Sequence, residues 1–315
     1  VDIFFVISGY LITLIILKEL YLTGTFSFKQ FYERRVRRIL PALLVVMLVS
    51  LPFAWIYLIP NSFVDFSKSI IYSLLFNSNF YFWSSGQEYG ADSGLLKAYL
   101  HTWSLSVEEQ FYIIFPIFLL LIFKFLRKYI IYFFILGFIT SLFVADWGSK
   151  NYPFFNFYIL PTRGWEILAG SILAYFEHKR IEHNKNQILN LLLSTIGLLL
   201  IFYSIIFFNE QTFHPSFQTL FPIVGVCLVI WFARKDGLVG RILSSKIFVG
   251  IGLISYSLYL WHYPIFSFDR VIGFSDHNIS RKIFLVISLF LVSFCSYYFV
   301  EKPARDKSIS FKKIF

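Results

Sequence analysis

Three stretches of this chain, 39–59, 188–208 and 283–300, contain no Asp, Glu, Lys or Arg. Each approaches the ~20 residues that an α-helix needs to cross the hydrocarbon core of a bilayer. Within that core only helices and closed barrels satisfy their own backbone polar groups. The charged share of the whole chain is 15%, against about 25% for a soluble domain. The expected fold is therefore all-α, a polytopic transmembrane helical bundle. A bundle can fill its own interior, so 1–301 reads as one transmembrane domain and 302–315 as a basic cytoplasmic tail.

The apolar segments fall at 3–17, 39–59, 69–83, 108–126, 129–145, 163–176, 188–208, 218–233, 247–268 and 283–300. Loops 18–38, 124–128, 177–187 and 234–246, with the tail 302–315, hold 21 of the 28 Lys and Arg residues, which assigns them to the cytoplasm. Three segments separate loop 18–38 from loop 124–128, and an odd number cannot return the chain to the same side. Segment 69–83 is the weakest, being short and interrupted by Ser73, Asn77, Ser78 and Asn79. It is expected to be a partial or re-entrant helix beside a cavity, with the polar stretch 84–98 after it. About nine spanning helices remain, which puts the C-terminus in the cytoplasm. The net charge of +10 is accounted for by these loops, so membrane lipid is the expected partner and nucleic acid is not. Residue 1 is Val, and an apolar run follows at once without a signal-peptide n-region. The chain is expected to lack its N-terminal part.

Four constellations carry chemistry. Residues 31–41 read FYERRVRRILP; in a helix Arg34, Arg37 and Arg38 share a face with Arg35 beside them. Guanidinium forks suit phosphate oxygens, although a topogenic or lipid-headgroup role also explains them. In HTWSLSVEEQFY, 101–112, Ser106 and Glu109 have capping-box spacing, which predicts a helix start there. Glu108 and Glu109 then complement the positive end of the dipole. His101, just ahead, is the side chain suited to proton exchange near neutral pH. Arg163 and Glu166 are spaced to pair on one helix face, and ionisable groups at membrane depth are costly and often functional. In 252–264 one face carries Ser255, Tyr259 and His262, with Tyr256 near it, and should point inward. A snorkelling interfacial pair explains Arg163 and Glu166 equally well, and helix–helix hydrogen bonding explains the 252–264 face equally well.

No GxSxG, P-loop, HExxH or GxGxxG is present. Cys227 and Cys295 lie in separate apolar runs, so neither a disulfide nor a metal site is expected.

Taken in order, VDIFFVISGYLIT (1–13), FYERRVRRILP (31–41), HTWSLSVEEQFYIIFP (101–116), RGWEILAGSILA (163–174), ISYSLYLWHYP (254–264) and FVEKPAR (299–305) resemble the acyltransferase-3 family of membrane O-acyltransferases. The resemblance implies ten membrane helices in the inner membrane. It also implies transfer of an acyl group, usually acetyl from acetyl-CoA, to a hydroxyl of an envelope glycan such as O-antigen, exopolysaccharide or peptidoglycan. Acyl-CoA is then a donor substrate, and no cofactor is held permanently. The family's principal His and an accompanying Arg would lie upstream of Val1. Within this chain the expected catalytic candidates are His101, Glu108 and Glu109. Arg34, Arg35, Arg37 and Arg38 are expected to hold the CoA phosphates; Trp103, Arg163, Glu166, Tyr256, Tyr259 and His262 are expected on the acceptor side. A glycan-lipid transporter and a non-catalytic membrane subunit are the competing classes.

Overall fold

The computed structural model describes residues 1–87, 93–180, 186–209, 211–273, 279–306 and 308–309. Parts of the polar stretch 84–98, of loop 177–187 and of the tail 302–315 lie outside them. Among the described residues every regular element is helical: α1 (Asp2–Thr23), α2 (Phe28–Tyr57), α3 (Pro60–Leu74), α4 (Ser78–Ser85), α5 (Thr102–Leu126), α6 (Ile130–Asn151), α7 (Pro153–Tyr158), α8 (Leu160–Lys179), α9 (Gln187–Phe207), α10 (Leu220–Phe232), α11 (Leu238–Leu243), α12 (Lys246–Val271), α13 (Ile279–Ser296) and α14 (Lys302–Arg305). Five stretches are long and apolar enough to cross a membrane: Asp2–Thr23, Phe28–Tyr57, Thr102–Asn151, Gln187–Phe207 and Ile279–Arg305. Helices α8 and α12, 20 and 26 residues long, fall outside that set because they carry the ionisable and hydroxyl groups described below.

The chain divides into two compact units, Val1–Phe26 with Val107–Ser245 and Ser27–Ser106 with Lys246–Phe315. In the first, α1 packs along α8 through glycines. A Cβ placed on Gly9 would overlap the carbonyl oxygen of Ile167, and one on Gly170 would overlap that of Val6. Without a hydrophobic drive between helices in lipid, small residues that let backbones approach supply the contact instead. The Thr13 hydroxyl closes the same seam, donating to Ser171 at 2.9 Å. Gly197 of α9 and Gly225 of α10 approach in the same way, each against the other's carbonyl oxygen. Around Trp165, Val6, Leu142, Ile223 and Val226 form the unit's buried apolar core.

In the second unit, the segment read from sequence as one partial helix is two. Helix α3 ends at Leu74, Phe76 turns the backbone through φ 52°, and α4 starts at Ser78. The serines that interrupt this segment tie it to the start of α5. Ser73 bonds Thr102 at 2.7 Å, and Ser78 bonds Thr102 at 3.0 Å and Ser106 at 2.8 Å. A cavity of about 340 Å³ does lie beside α3 and α4, lined among others by Asp65, Ser69, Tyr81, Lys97 and Arg270.

The glycine seam gives a direct expectation. Gly9→Val and Gly170→Val each force α1 from α8 and should cost about 1–3 kcal/mol, as overpacking does. Thermal unfolding of the full-length protein in detergent reads this as a lower midpoint; an unchanged midpoint in both variants contradicts the packing.

Candidate functional site

His101 lies in the turn before α5, in the second unit. It is only 7% exposed, and neither ring nitrogen has a hydrogen-bond partner among the described residues. Tyr263 stacks on the ring at 5.4 Å, while Tyr259 and His262 meet it edge-on at 4.9 and 5.2 Å. The backbone is fixed as tightly: the carbonyl of His101 accepts from the Tyr259 hydroxyl at 2.6 Å and from Ser104 at 3.2 Å. Burial, and secondarily His262, push the His101 pKa well below the usual histidine range, so the imidazole is neutral. His262 is oriented by chemistry. Its Nδ1 lies 2.6 Å from the Tyr259 carbonyl, which can only accept, so Nδ1 carries the proton and Nε2 keeps the lone pair. Tyr259, His262 and His101 thus come together from two segments about 160 residues apart. Tyr256, stacked near Tyr259, is directed elsewhere: its hydroxyl donates to the Ile39 carbonyl at 3.0 Å. Ser255 bonds back to Gly252 in its own helix. Trp103 is buried in the first turn of α5.

The predicted helix start at Ser106 is four residues late. Helix α5 begins at Thr102, and the Ser106 hydroxyl is engaged by Ser78 rather than capping a free end. Glu108 and Glu109 therefore stand within the helix, in the first unit. Glu108 accepts from Ser8 at 3.2 Å and Tyr112 at 3.5 Å; Glu109 is buried.

The arginine cluster divides. Helix α2 runs unbroken from Phe28, so all four arginines are helical. Arg37 is 4% exposed. Its Nε donates to Glu33 at 2.9 Å, and its Nη1 donates to the carbonyls of Asp306 and Ile309 at 3.2 and 3.0 Å. Arg37 thus ties α2 to the C-terminal segment. Glu301 reinforces the anchor, accepting from Ser257 and, at 2.6 Å, from Arg305. Arg34 is half-buried and Arg38 exposed, and neither makes a hydrogen bond or ion pair among the described residues. Arg35 lies over the Phe31 ring at 5.7 Å.

In the first unit Arg163 and Glu166, both fully buried, pair at 3.0 Å. Sequence reasoning missed the rest of this cluster. Arg163 also reaches Asp2 at 3.4 Å and the Phe157 carbonyl at 3.1 Å, and its Nη1 is 2.9 Å from His214 Nε2. A guanidinium only donates, so Nε2 of His214 accepts and its Nδ1–H donates to Thr219 at 3.1 Å. Burial and the charge of Arg163 lower the His214 pKa, against the pull of Asp2. The 3.4 Å approach of Asp2 to the same Nε2 is therefore not an ion pair with a neutral ring. Asp2 and His214 are 161 and 51 residues from Arg163, and no spacing in the sequence announces them.

A profile described as an acyltransferase domain matches residues 1–300. The peptidoglycan O-acetyltransferase OatA of Listeria monocytogenes is 32% identical over 97% of this chain and 51% of its own length. The O-acetyltransferase OatA of Staphylococcus aureus NCTC 8325 is 30% identical over 98% of this chain and 52% of its own. A putative O-acetyltransferase of S. aureus COL is 30% identical over 98% and 53%. The chain thus spans about half the length of these relatives. No solved structure matches it.

The two kinds of arginine in α2 are separable by stability. Arg37→Ala leaves Glu33 and the part-buried carbonyls of Asp306 and Ile309 without their partner and should cost roughly 1–3 kcal/mol, as losing charge-assisted hydrogen bonds does. Arg34→Ala should change stability by less than about 0.5 kcal/mol. Equal unfolding midpoints for the two variants would contradict the division.

Proposed function

The chain belongs to the acyltransferase-domain family, and from that premise we propose that it transfers an acetyl group from acetyl-CoA to a hydroxyl of a cell-envelope glycan. What carries the reading is the match to proteins named O-acetyltransferases along almost all of this chain. The His101 pair gives it a chemical form. A buried imidazole without a hydrogen bond is costly, and an acceptor hydroxyl placed against it would remove that cost. His101 takes the hydroxyl proton as the oxygen attacks the thioester carbonyl; the C–O bond forms, the C–S bond breaks, and the departing CoA sulfur receives the proton. His262, meeting the His101 ring edge-on at 5.2 Å, holds that ring in place. Arg34, Arg35 and Arg38 bind the CoA phosphates. Arg163 and Glu166, expected at the acceptor, instead brace α1 and α8 in this reading, since their charges are engaged by Asp2 and each other.

Membranes holding the full-length protein, given labelled acetyl-CoA, should label envelope glycan. His101→Ala should lower the rate roughly 100-fold or more, the usual share of general base catalysis, while an undiminished rate removes His101 from the chemistry. Because the His101 pKa is depressed, the neutral base persists on acidification. The acid limb of the pH–rate profile should therefore lie below the ordinary histidine value of about 6.5; a limb at or above that value contradicts the assignment.

A further inference from the structure

In the first unit the C-terminal ends of α1, α5 and α8 enclose an open pocket of about 590 Å³. Lys124, Arg127, Lys128 and Lys179 line it, and among the described residues none of the four forms an ion pair. The neighbouring carboxylate, Glu177, is engaged by Arg180 at 3.5 Å. Cations at helix C-termini complement the dipole, and basic loops set topology. Those two effects explain why such residues occur here, but not why four of them converge on one concavity. Nor do they explain the fixing of Arg127, whose guanidinium lies 4.2 Å from the Tyr21 ring and 4.6 Å from that of Phe123. A solvated topogenic arginine has no need of two aromatic faces. Lys179 is held over Tyr175 at 4.5 Å.

A planar guanidinium and three ammonium groups gathered without an ion-pair partner among the described residues suit phosphate oxygens. The rim decides which phosphate. Phe125 and Leu126, which line the pocket, stand exposed at 69% and 41%. Two of the three helices that end there, α1 and α5, belong to stretches long and apolar enough to cross a membrane. A soluble phosphate has no use for that apolar rim, whereas a lipid offers phosphate and acyl chain together. We infer that this pocket is a binding site for the phosphate headgroup of an anionic phospholipid, with Arg127 as its fixed fork and Lys124, Lys128 and Lys179 completing the charge. The site is independent of the acetyl-transfer reading and its test needs no activity.

The full-length protein is extracted in mild detergent from membranes of mixed phosphatidylglycerol and phosphatidylcholine, and retained lipid is scored by native mass spectrometry against added lipid. Wild type should retain phosphatidylglycerol selectively. The triple variant Lys124→Gln, Lys128→Gln, Lys179→Gln should weaken its apparent affinity roughly 100-fold, from about one factor of five per cation near a bilayer surface. All three positions are exposed, so the unfolding midpoint should not move. A control triple that removes the same charge elsewhere, Lys235→Gln, Arg241→Gln, Lys246→Gln, should retain the lipid as wild type does. Equal loss in the control, unchanged retention in the pocket variant, or displacement of the lipid by millimolar inorganic phosphate at matched ionic strength would each overturn the proposal.

Discussion

Burying a guanidinium inside a helix pair that lipid surrounds is the constraint on which the first unit turns. Arg163 has no exposed side-chain surface, and an isolated charge in such a place costs several kcal/mol or more. It is tolerated because Glu166, Asp2, His214 and the Phe157 carbonyl all reach it. Those partners arrive from α1, from α7, from α8 itself and from the connection between α9 and α10. Asp2 meets Arg163 only if α1 lies close along α8, and the glycines at 9 and 170 are what allow that approach. The polar cluster and the small-residue seam are thus two halves of one requirement: each is costly without the other.

The second unit meets the same requirement by different means. Its hydroxyls are paired into a ladder, Ser73, Thr102, Ser78 and Ser106, and its buried arginine, Arg37, is answered by backbone carbonyls at the C-terminal segment. Among the described residues a few buried polar groups of this unit have no hydrogen-bond partner: the ring nitrogens of His101, the indole N–H of Trp261, the hydroxyls of Ser293 and Ser296, and Nε of Arg305. The His101 carbonyl is bonded twice while its ring nitrogens are not. What distinguishes His101 among these is that both heteroatoms of its side chain are buried without a hydrogen bond while three aromatic rings surround it.

Much of the fold was legible because the apolar runs approach a bilayer's thickness and the basic loops separate them. The pairing of Arg163 with Glu166 was legible too, being three residues apart on one helix. What sequence could not convey were partners fixed only by tertiary approach: Asp2 and His214 for Arg163, the carbonyls near residue 306 for Arg37, and Glu301 for Ser257. The misplaced start of α5 has the same origin. Ser106 and Glu109 have the right spacing for a capping box, but a hydroxyl from α4 claims Ser106, and a turn over 99–104 carries the helix start back to Thr102. For the site, the sequence indicated His101, Tyr259 and His262 separately; their convergence around one ring came from the fold.

The proposed function has this chain move an acetyl group, rather than a glycan, between the two faces of a membrane. Proteoliposomes containing the full-length protein, with labelled acetyl-CoA enclosed on the face bearing Arg34 and glycan acceptor supplied only on the opposite face, test it most directly. The account predicts label on the outside glycan and free CoA thiol accumulating inside in equal amount. Glycan appearing inside without label, with acetyl-CoA intact, would contradict it.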